Sequence, residues 1–130
     1  WFYQAPMGDW PLHVLNAEHG SYGYIDEVMA VYRMHSAGMW SGSDRVKILE
    51  RTIEAANLIK AHLGGRYSRE ITRRIKRWKQ GLEQELLHND LQDGDVAAAC
   101  SRFVRTVIKR PSTRYIRRGI RSIAKHLLKL

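Results

Sequence analysis

The sequence of 130 residues has a single cysteine and no long apolar run, and these two scarcities limit what it can be. Cys100 cannot form a disulfide within the chain, which fits a reducing compartment. No stretch of about 18 apolar residues occurs, so the sequence predicts no transmembrane helix. The chain starts at Trp1, inside an aromatic run, without an initiator methionine or the basic start of a signal peptide. We therefore expect a fragment of a longer cytoplasmic protein.

Acidic residues are scarce in the second half of the sequence. Residues 1–65 contain 5 Lys and Arg against 7 Asp and Glu, whereas residues 66–130 contain 17 against 6. The net charge of +9 therefore comes from the second half, which should attract anionic lipid, nucleic acid or polyphosphate. Near the C-terminus the cations flank an apolar stripe, a pattern typical of a helix on an anionic membrane, or of an ordinary solvated helix face. These cations are Arg102, Arg105, Lys109, Arg110, Arg114, Arg117, Arg118, Arg121, Lys125 and Lys129.

Apolar residues recur every three or four positions after about residue 43, which predicts amphipathic helices. We expect four of them: from Ser43 or Asp44 to His62, from Ser68 to His88, from about Asp95 to Lys109, and from Ser112 to Leu128. A turn is expected at Asn89–Asp93. The triplet Asp93-Gly94-Asp95 has the form Asp-x-Asp, but a turn followed by a helix cap explains it better than a metal site.

The first 43 residues follow a different pattern. Gly8-Asp9-Trp10-Pro11 has the composition of a helix start, in which Asp9 can act as the cap. Tyr22–Asp26 and Val28–Met34 are rich in aromatic and β-branched residues and predict two short strands. The second strand leads into a Gly/Ser loop, residues 35–42. A strand end that delivers Arg33 and His35 to such a loop is suited to binding a phosphate or a metal ion.

These elements, Gly8-Asp9-Trp10-Pro11 and Tyr32-Arg33-Met34-His35 with its Gly/Ser loop, resemble the end of the catalytic domain of family 2 glycosyltransferases of the GT-A fold. The resemblance is best from Trp1 to about Ser43. It implies an α/β fold, present here as a mostly helical fragment with a short β-strand pair near the N-terminus and about four amphipathic helices. Residues 1–43 would end the catalytic domain, and residues 44–130 would form a helical extension with a basic tail. The family's Asp-x-Asp metal motif and nucleotide-binding half would precede this chain.

The resemblance also implies roles for individual residues. Asp9 would be the base that deprotonates the acceptor hydroxyl, and Trp10 would help to shape the acceptor site. The loop would close over the diphosphate of the donor and its Mg²⁺ or Mn²⁺, whose main ligands are expected in the missing half. The implied substrate-binding residues are Trp10, Arg33, Trp40 and Ser41, and the implied metal ligand is His35.

The activity implied by the resemblance is inverting transfer of one sugar from a nucleotide-sugar donor to a sugar or lipid-linked acceptor. Such an enzyme would serve surface polysaccharide or glycolipid synthesis, and the fragment alone should be inactive. Non-processive transfer is favoured because Arg74-Ile75-Lys76-Arg77-Trp78 has Arg where the Gln-x-x-Arg-Trp signature of processive synthases has Gln. The basic tail would place the enzyme peripherally at the inner face of the cell membrane, without nucleic acid.

An alternative prediction comes from the charge alone. A non-catalytic, basic helical module that binds nucleic acid or anionic membrane would explain the second half of the chain. It leaves the Gly-Asp-Trp-Pro and Tyr-Arg-x-His elements unexplained.

Overall fold

A computed structural model describes residues 1–38, 40–109 and 111–128. Helices make up most of this part of the chain: α1 Asp9–Ala17, α2 Arg45–His62, α3 Ser68–Gln92, α4 Val96–Lys109 and α5 Thr113–Leu127. A short 3₁₀ turn, Phe2–Gln4, precedes them. The described residues contain no β-strand, so the predicted α/β fold and its strand pair are wrong for this chain.

Both predicted strands, Tyr22–Asp26 and Val28–Met34, lie in an irregular segment between α1 and α2. Every residue of the range 16–37 is exposed, and within the described chain residues 20–34 form no backbone hydrogen bond. β-Branched and aromatic residues fit a pleated surface, but a strand also needs a neighbour that pairs its N–H and C=O groups. The described residues offer no such neighbour, and the alternating pattern therefore yields no sheet.

The four helices predicted after residue 43 are confirmed, with their main differences at the ends. The Asp44 carboxylate caps α2 by accepting a hydrogen bond from the N–H of Val46 at 3.3 Å. The Ser112 hydroxyl caps α5 by accepting one from the N–H of Tyr115 at 3.5 Å. Each cap residue stands at the start that the apolar pattern predicts.

The end of α3 differs from the prediction, because the helix runs through most of the turn expected at Asn89–Asp93. Leu87 and Leu91 are each 2% exposed and extend the buried stripe of the helix by one more turn. Gly94 then adopts a left-handed φ of 78°. The carboxylate of Asp95 accepts a hydrogen bond from the N–H of Ala98 at 2.8 Å, so the predicted cap before α4 is confirmed.

The contacts within the chain divide it into two units, Trp1–Ile75 and Lys76–Leu130. In the first unit α1 packs against α2. The apolar side chains buried there are Pro11, Ile53, Ala55, Ala56, Ile59, Leu63 and Ile75. The predicted division at residue 43 concerned the end of a larger catalytic domain and stays a prediction.

In the second unit α4 packs against α5. Its core contains Leu87, Leu91 and Ala99, with Phe103 and Ile123 packed against them. Tyr115 of α5 is 1% exposed and stacks on the ring of Phe103, with 5.7 Å between the ring centroids. This packing fixes which side of α5 faces inward and therefore which side faces the solvent.

Candidate functional site

Asp9 and Trp10 open α1. Gly8 occupies the cap position, so Asp9 is the first helical residue rather than the cap that the sequence suggested. The Asp9 carboxylate is exposed and accepts a hydrogen bond from the N–H of Trp10 at 2.9 Å. A negative charge in the first turn is favoured by the helix dipole. The structure thus presents a solvent-accessible carboxylate at a defined point, with the half-exposed ring of Trp10 beside it in the chain.

The described residues of the predicted Gly/Ser loop, 35–38 and 40–42, fold into a compact turn. The hydroxyl of Ser41 donates to the carbonyl oxygen of His35 at 2.8 Å, and the N–H of His35 lies 3.3 Å from the Ser41 oxygen. Two backbone hydrogen bonds tighten the turn, from the N–H of Gly38 to His35 at 3.0 Å and from the N–H of Gly42 to Gly38 at 2.8 Å. Ser41 therefore holds the loop closed through its hydrogen bonds to His35. Its implied role in substrate binding stays a prediction.

Gly42 is required by this turn for steric reasons. A methyl group added at Gly42 would overlap the carbonyl oxygen of Ser36 and would stand 2.8 Å from that of Gly38. The backbone of the loop approaches itself too closely for any side chain at this position. Glycine allows such an approach because it has no Cβ atom.

Arg33 and His35 are exposed at the entrance of the turn, and the described chain provides no hydrogen-bond or ion-pair partner for either side chain. Trp40 is half-buried in the turn. Arg33, His35, Trp40 and Ser41 thus lie within nine residues of one another in the chain. Among the described residues, no hydrogen bond or ion pair joins Asp9 to any of these four. Within this described part of the chain, the structure assembles the loop without a direct hydrogen bond to the predicted base.

The described residues do not fit a complete metal site. They include no group of three or more His, Cys, Asp or Glu side chains close enough to hold one ion. His35 would supply a single imidazole, and a bound divalent ion usually needs several oxygen ligands in addition. We therefore derive no chemical step that depends on a metal ion held by this chain.

A polar cluster that sequence reasoning missed ties α1 to α2. The carboxylate of Glu18 accepts hydrogen bonds from Arg66 and from Nε2 of His62, the latter at 2.7 Å. These bonds, first from His62 and then from Arg66, hold the pKa of the Glu18 carboxyl below its usual value. The ring of Trp1 stacks on His62 with 4.5 Å between the centroids. The partners are 44 and 48 residues apart in the chain, and no spacing rule relates them.

The basic residues of the second unit include two contrasting sets. Arg102 forms an ion pair with Asp90, with 2.7 Å between its Nε and the carboxylate oxygen. The hydrogen bond to Asp90 is the main reason why the pKa of Arg102 is raised. By contrast, four arginines and Thr113 line an open recess of about 430 Å³ on α5; the arginines are Arg114, Arg117, Arg118 and Arg121. This second set is an exposed part of the predicted basic tail.

Comparisons with known proteins leave the family resemblance as a prediction. No family model, curated protein or solved structure matches the chain. Within the described residues, none of the helices has the length and apolar character needed to cross a membrane.

Proposed function

We propose that the chain supplies the acceptor base and part of the diphosphate-binding loop of a nucleotide-sugar-dependent, inverting glycosyltransferase. The observation that carries this proposal is the closed turn formed by residues 35–38 and 40–42, which follows the Tyr-Arg-x-His segment. The turn leaves the guanidinium of Arg33 and the imidazole of His35 exposed and without partners in the described chain. A cation and a hydrogen-bonding ring beside a small-residue turn are the chemistry that a diphosphate requires.

The proposed reaction follows from these groups. The acceptor hydroxyl attacks the anomeric carbon of the donor sugar from the face opposite the diphosphate. A carbon–oxygen bond forms there, while the bond from the anomeric carbon to the diphosphate oxygen breaks. The Asp9 carboxylate takes the proton of the hydroxyl, and the diphosphate leaves with the electron pair of the broken bond. Arg33 stabilises the charge that develops on this leaving group, with His35 as a hydrogen-bond donor to it.

The proposal also covers the setting of the enzyme. The donor is a nucleotide sugar, the acceptor is a sugar or a lipid-linked sugar, and one sugar is added for each binding event. A Mg²⁺ or Mn²⁺ ion belongs to the proposal as a partner of the diphosphate, with its main ligands outside this chain. The enzyme would act on the cytoplasmic side of the cell membrane, peripherally at its inner face, where a lipid-linked acceptor is accessible.

The test is Asp9→Asn in the whole protein that carries this chain. Transfer is read as release of nucleoside diphosphate from a panel of uridine- and guanosine-diphosphate sugars with Mn²⁺ present. We expect kcat to fall by about 100- to 10,000-fold, because the amide cannot accept the proton. The matched control is Asp26→Asn, since Asp26 is also exposed and, among the described residues, accepts a hydrogen bond only from the nearby Tyr24.

A second variant separates the two parts of the site. Arg33→Gln should raise the KM for the donor more than Asp9→Asn does, because it removes a charge that binds the diphosphate before reaction. Turnover of Asp9→Asn within a few-fold of both the wild type and Asp26→Asn would refute the role of Asp9 as base.

A second candidate function has its own observation. The recess that the four arginines of α5 line favours a basic module that binds polyanions without catalysis. Such a module would keep its affinity in Asp9→Asn and would lose it steeply as salt rises. Sugar transfer and polyanion binding can therefore both be measured on the wild type and on Asp9→Asn, and the two candidate functions predict different results.

A further inference from the structure

The outward side of α5 is a continuous basic surface. Arg114, Arg117, Arg118 and Arg121 are all exposed, and three to four residues separate the first, second and fourth of them along the helix. This spacing places their side chains on one side, one above another. Lys125 continues the same row by one turn and is also exposed. We call these five residues the α5 basic row.

The charge of the α5 basic row is not balanced locally. The sequence from Val96 to the end contains no Asp or Glu. Arg118 donates to the neutral side-chain oxygen of Gln84 at 3.2 Å, and the described chain gives Arg114, Arg117 and Arg121 no hydrogen-bond or ion-pair partner. Such a concentration of like charge repels itself and is relieved when an anionic surface approaches.

Apolar side chains lie beside this row on the same helix. Ile120 and Leu127 are 55% and 52% exposed, although the helix buries Tyr115 and Gly119 on its inner side. They are seven residues apart, two helical turns, and so form a line along the helix between the buried side and the basic row. The neighbouring helix α4 repeats the combination, with exposed Val104 and Ile108 next to Arg105 and Lys109.

We infer that the α5 basic row and the Ile120–Leu127 line form a binding surface for an anionic lipid bilayer. The arginines would contact lipid phosphates, while the two apolar side chains would enter the boundary between headgroups and acyl chains. A nucleic-acid backbone would match the charge but would give the exposed isoleucine and leucine no apolar environment. An anionic bilayer offers phosphates to the basic row and an apolar environment to the Ile120–Leu127 line, and for that reason we prefer it.

This inference refines the membrane location given with the proposed transferase and rests on that proposal only for its biological purpose. Binding to vesicles needs no donor sugar and no turnover, so either proposal can fail while the other stands.

The experiment is co-sedimentation of the full chain with vesicles of phosphatidylcholine, either pure or with about 30 mol% phosphatidylglycerol. We expect binding to the anionic vesicles that is at least roughly ten-fold tighter than to the neutral ones, and that weakens with salt. Arg114→Gln/Arg117→Gln/Arg121→Gln should weaken it by a factor on the order of 100. The matched control is Arg69→Gln/Arg73→Gln/Arg74→Gln, which removes the same charge from exposed positions on α3.

A third variant, Ile120→Ser/Leu127→Ser, distinguishes a bilayer from other polyanions. It should weaken vesicle binding by roughly ten-fold or more while leaving the binding of a single-stranded RNA oligonucleotide unchanged. Far-UV circular dichroism confirms that each variant keeps its helices.

Three results would overturn the inference. In the first, the α5 and α3 triple variants weaken vesicle binding equally, so only net charge matters. In the second, the serine variant binds vesicles as the wild type does and the RNA is bound more tightly than the vesicles, which would assign the surface to nucleic acid. Inorganic phosphate that competes at millimolar concentration would show a single-anion site in place of a surface.

Discussion

Replacement of Gly119 by Ala tests the packing that orients the α5 basic row. In an unobstructed helix interior this change stabilises a protein by about 1 kcal/mol, because glycine loses more backbone entropy on folding than alanine. Gly119, however, is buried on the inner side of α5. A methyl group added there would lie 2.5 Å from Cδ2 of Phe103, well inside contact distance. The structure therefore predicts the opposite sign.

The size of the destabilisation depends on the contacts that the Phe103 ring would lose if it moved to make room for the methyl group. Its ring is stacked on Tyr115, with 20° between the ring planes, so it cannot turn aside without losing that contact. Overpacking costs about 1–3 kcal/mol, and a lost aromatic pair costs about 0.5–1.5 kcal/mol. After subtraction of the helix-propensity gain, Gly119→Ala should lower the free energy of unfolding by about 0.5–3.5 kcal/mol.

The assay is urea denaturation of the full chain, followed by far-UV circular dichroism. Ala124→Gly is the control for helix propensity, since Ala124 is an exposed position of the same helix, and it should cost about 1 kcal/mol. In a Phe103→Leu background the cost of Gly119→Ala should shrink, because leucine leaves room for the added methyl. If Gly119→Ala alone raises the free energy of unfolding by about 1 kcal/mol, the packing of α5 on Phe103 described above is wrong.

Two further predictions concern buried or bonded polar groups. Glu18→Gln should lower the free energy of unfolding at neutral pH, and its difference from wild type should shrink as the pH falls below 4.5. The lowered pKa of Glu18 means that its stabilisation is fully present above the ordinary carboxyl pKa and is lost as the pH falls through the lowered one. Urea midpoints measured across this range check the trend, with the exposed Glu54→Gln as the charge-matched control. Tyr115→Phe should preserve stability or raise it by about 1 kcal/mol, because the buried hydroxyl makes no hydrogen bond of normal geometry among the described residues, although the Thr106 side chain approaches it. A loss above about 1 kcal/mol in urea denaturation would instead show that this hydroxyl is bonded.

The helical part of the fold could be predicted because its determinants are local. Asp44 and Ser112 mark the starts of α2 and α5, and the apolar period of three and four residues does the rest. The overrun of α3 has a different cause, since the turn residues of Asn89–Asp93 were outweighed by the burial of Leu87 and Leu91. Tertiary burial decided a helix end that local propensity placed one turn earlier.

The strands and the polar cluster could not be predicted for a related reason. A period of two in Tyr22–Met34 shows only that a segment has the composition of a strand, whereas strand formation depends on a pairing partner elsewhere. The contact of Glu18 with His62 and Arg66 likewise depends on how α1 packs on α2. The loop that Ser41 closes was predictable as a loop, because its Gly and Ser residues are neighbours in the sequence. Its internal hydrogen bonds were not.

The exposed segment before this loop has a consequence for the proposed chemistry. Arg33 belongs to the range 20–34, in which the described chain makes no backbone hydrogen bond and leaves large apolar side chains such as Val28 and Val31 more than nine-tenths exposed. A diphosphate bound by Arg33 must therefore order this segment, and the free energy of ordering is subtracted from the affinity. Asp9 carries no such cost, because α1 already holds it. For this reason we expect Arg33→Gln to act mainly on the KM for the donor and Asp9→Asn mainly on kcat.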